Sequence, residues 1–182
     1  SDLFLADGSV INLGADQDVK LTHIADTGIE LTANTAATNS TKELLHLTHT
    51  TSGTPAAGIG TDISFSVETS TNNTEKGLIL ETITTDITSG NEDFDFIVKL
   101  MEGGSNADEK MRLTSAGNLS VTGTFTSNGI IKTDDTTQAT SITDGALQTD
   151  GGLSVVKDAI FGNYIKLLSD SSVLSLGAGS DA

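Results

Sequence analysis

The side chains with the plainest chemical reach in this 182-residue chain are three histidines and 25 Asp plus Glu, because Cys and Trp are absent. His46-Leu47-Thr48-His49 is a loose version of a metal-binding His-x-His. Side chains alternate across a strand, so a spacing of three sends the two rings to opposite faces, and one chain cannot chelate through both. His23 stands alone. Asn91-Glu92-Asp93-Asp95 and the pair Asp16/Asp18 carry oxygens of the kind calcium collects from flexible loops. Neither completes a loop motif, and solvated turn carboxylates are the better account in so acidic a chain. Neither a metal site nor a cofactor site is expected.

Catalytic arrangements are equally sparse. No GxSxG elbow, HExxH pair or Walker loop occurs. Glycoside cleavage needs two carboxyls at a set separation in a cleft, and with so many acids any pair qualifies, so the pattern carries no information. Sugar recognition normally uses aromatic platforms, yet Tyr164 is the one tyrosine. The three sequons, at Asn39, Asn72 and Asn118, are what chance gives in a chain this rich in Asn, Ser and Thr. With 9 Lys plus Arg against 25 acids the formal charge is −16, which repels phosphate backbones and anionic lipid. Nucleic acid and membrane insertion are therefore excluded as partners, and no enzymatic activity is expected.

The elements that would have to position any site are short strands. Leu119, Val121 and Phe125 share one face of Leu119–Thr126, with hydroxyls on the other. The same period-two reading predicts strands at Val10–Leu13, Val19–Ile24, Gly28–Thr32, Glu43–Thr48, Ile63–Glu68, Leu78–Thr84, Phe94–Met101, Leu153–Ile160, Tyr164–Leu168 and Val173–Leu176. Short helices are conceivable only at Asn106–Arg112 and Val155–Ile160. Turn signals such as Asp7-Gly8, Asp26-Thr27-Gly28, Ser89-Gly90-Asn91, Ala116-Gly117-Asn118 and Asp144-Gly145 fall between the runs. The expected class is all-β.

An internal repeat appears when residues 5–18 are laid on 168–181. Leu5, Asp7, Ser9, Val10, Leu13, Gly14, Ala15 and Asp18 meet Leu168, Asp170, Ser172, Val173, Leu176, Gly177, Ala178 and Asp181. The second copy stops at Ala182 and the chain opens on Ser1, so a segment of a longer modular protein is expected. Three regions are expected: short-strand modules at 1–38 and 117–182, flanking a small central β domain at 39–116. A hydrophobic fraction of 36% and six Phe are thin for a self-sufficient core. Copies of the chain would have to bury their apolar faces together, and closure about an axis removes exposed sheet edges.

The runs Thr50–Thr69, Glu81–Gly104 (ETITTDITSGNEDFDFIVKLMEGG) and Glu109–Phe125 (EKMRLTSAGNLSVTGTF) resemble the tail-fibre and related virion structural proteins of bacteriophages, especially marine and cyanobacterial ones. The flanking Leu13–Leu31 and Asp144–Asn163 are similar to modules repeated along such fibres. The resemblance implies an elongated, intertwined, parallel homotrimer in the virion, a β shaft that holds a host-adhesion tip and joins other tail or fibre proteins. Leu119, Val121, Phe125, Val173, Leu174 and Leu176 are expected to line the inter-chain core. The sequence departs from the family in showing no particle-attachment stretch and no recognisable receptor-binding tip. A receptor-binding module contacting the host surface, a bacterial extracellular filament and, last, a polysaccharide-cleaving tailspike are the alternatives.

Overall fold

The computed structural model describes residues 4–36, 38–70, 72–137, 139–163 and 165–167. Among these there is no helix, and eight strands form two antiparallel sheets. The first contains β1 (Val10–Leu13), β2 (Val19–Ile24) and β3 (Gly28–Ala33) in that order. Its register sets Ile11 beside Leu21 and Leu31 on one face, with Val10 and Ile24 on the other. Asp26 turns the β2–β3 hairpin with φ at 56°, where Thr27 N–H donates to Ile24 O at 3.0 Å. Asp tolerates that left-handed conformation better than most residues.

The second sheet contains β4 (Gly60–Glu68), β5 (Thr74–Asp86), β6 (Asp93–Leu100), β7 (Asp108–Leu113) and β8 (Leu119–Val121), again in chain order. It continues past residue 116, and no strand of either sheet touches a strand of the other. Gly60 is required by close approach: a Cβ there would stand 2.2 Å from the carbonyl oxygen of Thr82 on β5. Gly117, at φ 81°, makes the β7–β8 turn, with its N–H donating to Thr114 O at 2.9 Å.

Several sequence expectations need correction. Asn106–Arg112 is not helical; its greater part is β7, because the apolar edge of β6 recruits Met111 and Leu113 into a ladder. Strong intrinsic helix formers yield there to cross-strand pairing. Glu43–Thr48 and Leu153–Ile160 are irregular, as is the Val155–Ile160 helix candidate, and none of them finds a ladder partner among the described residues. The strand expected over Leu119–Thr126 ends at Val121, and Gly123 follows at φ 107°. Val173–Leu176 and the second repeat copy lie outside the described residues.

A division between Thr126 and Ser127 separates two compact units. In the second, Asp144 organises an irregular turn: its carboxylate accepts from Thr140 Oγ1 at 2.6 Å and from the Thr140 and Ser141 N–H groups at 2.9 Å. The Thr140 hydroxyl first, then the Ser141 amide, pull its pKa from 3.8 down to about 2. A carboxyl depressed in this way stabilises its turn in full above 3.8 and loses that contribution as pH falls to about 2. In an NMR acid titration the Thr140 and Ser141 amide shifts should therefore move together with a midpoint near 2; a midpoint near 3.8 would show that these bonds do not persist.

Candidate functional site

The two faces of the five-stranded sheet differ in chemistry, and that difference follows from register. One face carries Ile63 and Phe65 of β4, Leu78 and Leu80 of β5, Phe94, Phe96 and Val98 of β6, Met111 and Leu113 of β7, and Leu119 and Val121 of β8. The other carries Ser64, Ile79, Glu81, Ile83, Asp95, Ile97, Lys99, Glu109, Arg112 and Ser120. Alternation within each strand and pairing between strands put the aromatic side chains and most of the bulky aliphatic ones together.

The polar face is closed over by ion pairs. Lys99 pairs with Glu81 diagonally across β5 and β6. Asp95, 5% exposed, accepts from Arg112 Nη1 at 2.7 Å and from Ser115 N–H at 3.1 Å. Arg112 Nε donates to Glu109 Oε1 at 2.8 Å, and Nη2 bonds the other oxygen of that carboxylate. Residues three apart on a regular strand point to opposite faces; the bulge at Lys110 brings Glu109 and Arg112 to the same one. The guanidinium's hydrogen bond holds the Glu109 carboxyl below its usual range, and the Glu109 and Asp95 carboxylates raise the Arg112 pKa. Beneath this network lies Ile97, at 1% exposure the one fully buried apolar side chain among the described residues. The aliphatic stems of the paired Lys and Arg supply part of its cover.

Asp95 thus serves two donors of the fold and is buried, where the sequence reading expected a solvated turn carboxylate. Replacing it by Ala orphans the Ser115 amide and half of the Arg112 fork. A loss of about 2–3 kcal/mol is expected, measured as a lower urea midpoint; a change under about 0.5 kcal/mol would show the network to be ornamental.

Among the described residues the opposite face has no such cover. Phe94 is 55% exposed, Leu119 59% and Val121 44%, and Ile63, Phe65, Phe96 and Leu113 are exposed as well. At its Thr82–Thr84 end the irregular stretch 46–51 approaches it. Between them is a groove of about 600 Å³ whose walls include His46, Leu47, His49, Thr82, Thr84 and Phe94. His49 Nδ1 donates to Gly60 O at 2.7 Å, whereas His46 Nδ1 faces Glu43 Oε1 at 3.3 Å. The two rings border one groove with separate partners, and among the described residues no three His, Cys, Asp or Glu side chains converge as metal ligands. His23 Nδ1 faces Asp7 at 3.5 Å.

Of the expected core residues, Leu119 and Val121 belong to this bare face. Phe125, 67% exposed, follows the last strand, and Val173, Leu174 and Leu176 are outside the described residues. The sheet residues that dominate the face, Phe65, Phe94, Phe96, Leu80 and Met111, were legible as strand positions, but their common side emerges only from the ladder register. No family model, curated protein or solved structure matches the chain.

Proposed function

We propose that this protein is a structural component of a bacteriophage tail fibre: part of an elongated, intertwined homotrimeric β shaft that displays a host-adhesion tip and carries out no catalysis. The observation behind the proposal is the apolar core. Fully burying one Ile contributes about 1.5–3 kcal/mol, against roughly 1–2 kcal/mol per residue for ordering the backbone. Ile97 alone among the described residues reaches that state, while apolar side chains crowd an open sheet face. A chain so built gains its stability by association. The likeness of Glu81–Gly104 and Glu109–Phe125 to virion fibre proteins supplies the biological setting.

Two measurements test this. Light scattering on the full chain should give three times 18.7 kDa, and antibody raised against it should decorate the tails of particles made by the phage that encodes it. A monomer would remove the shaft, and undecorated tails would remove the virion assignment. The groove beside His46 and His49 favours one second reading, a module that itself contacts the host surface. Host cells should then be retained by the isolated chain, and the shaft reading expects no retention.

A further inference from the structure

We infer that second copies of this chain cover the apolar face of the five-stranded sheet, and that its ion-paired face stays toward water. This deepens the shaft reading by naming the surface through which copies meet, and it rests on the assembly which that reading requires.

The first argument is charge. The chain carries −16, so two copies approaching at random repel. Yet the strand positions from Ile63 to Phe65, Leu78 to Leu80, Phe94 to Val98, Met111 to Leu113 and Leu119 to Val121 that point to this face hold no ionisable group. An acidic side chain appears only at its rim, where Asp108 lies opposite Leu100. The centre can be buried against its like without enclosing like charges, while the rim remains solvated.

The second argument is area. Ile63, Phe65, Phe94, Phe96, Leu113, Leu119 and Val121 are among the exposed apolar residues of the face. At about 100 Å² each they offer on the order of 700 Å², close to the roughly 800 Å² that one partner contributes to a specific interface.

With Ile97 the one fully buried apolar residue among those described, one chain alone gives this sheet little apolar core to fold on. The covering surface has to be present while the chain folds, and other copies of the chain are present whenever it is made.

The chain has no cysteine, so single thiols report each face without background. Val98→Cys, on the central strand β6, is a small change on the apolar face; Ser64→Cys and Ser120→Cys mark the opposite one. The full chain carrying each substitution is sized by light scattering and reacted with a water-soluble maleimide, first folded and then in urea. An assembled protein in which the Val98→Cys thiol reacts at least tenfold more slowly than those of Ser64→Cys and Ser120→Cys, with the difference abolished in urea, is the expected result. An assembled protein whose Val98→Cys thiol reacts as fast as the other two overturns the face assignment and leaves the fibre reading standing. A monomer, whatever its labelling pattern, overturns both. Should Val98→Cys alone fail to assemble, Met111→Cys replaces it on the neighbouring strand β7 of the same face, and the same rate comparison decides.

Discussion

Val121→Asp should leave no assembled species on a sizing column, while Ser120→Asp, one residue earlier in the chain, should elute as the unsubstituted protein does. β8 sets Val121 opposite Met111 on the apolar face and Ser120 opposite Arg112 on the ion-paired face. A carboxylate at 121 would be enclosed between copies with no cation near it, at a cost of several kcal/mol in each chain of the assembly. A carboxylate at 120 enters water beside a guanidinium. In one chain by itself the two positions are equivalent for this purpose, since Val121 is 44% exposed and Ser120 is exposed too. Exposed substitutions ordinarily move stability by no more than about 0.5 kcal/mol. A monomeric protein would therefore tolerate both variants alike, and only burial between chains separates them. A soluble Val121→Asp protein of unchanged assembled mass would refute the burial of this position.

The contrast between these neighbours also shows where the sequence stops informing. Alternation alone locates Val10–Leu13 and Val19–Ile24 with the bounds the structure gives, because each is a short run closed by turn residues at both ends. It fails at β7, where the bulge at Lys110 interrupts the period of two, and Glu109, Lys110, Met111 and Arg112 read locally as good helix formers. It overreaches at Glu43–Thr48, whose Leu44, Leu45 and Leu47 look like a buried run, yet among the described residues the stretch joins no strand ladder, and His49 just beyond it donates to the edge carbonyl of Gly60. The ion-pair sheath was not legible at all. Asp95 and Arg112 are seventeen residues apart and meet only because β6 and β7 pair in one particular register. Amphipathic strands were visible in the sequence; which strand lies beside which, and hence which face is bare, depends on long-range pairing that periodicity does not encode.

Dilution should lower the stability of the β-structure itself. If three copies fold and associate in one step, the unfolding equilibrium contains the square of the chain concentration. Each tenfold dilution then removes about 2.8 kcal/mol per mole of trimer, two factors of ten at about 1.4 kcal/mol each. A two-chain assembly would lose about 1.4 kcal/mol over the same step, and a monomer nothing. Urea midpoints read by far-ultraviolet circular dichroism over about a hundredfold range of concentration therefore report the number of chains that must meet for the sheet to persist. The steeper dependence is expected, because the apolar face that copies would cover and the ion-paired face over Ile97 are two sides of the same strands. Uncovering the first exposes Phe65, Phe94 and Phe96 to water and leaves the second to hold the strands through partly solvated ion pairs, which contribute little individually. A midpoint that does not move across the range would mean that Ile97 and its sheath of ion pairs suffice as the core of one chain, and association would then be unnecessary to the fold.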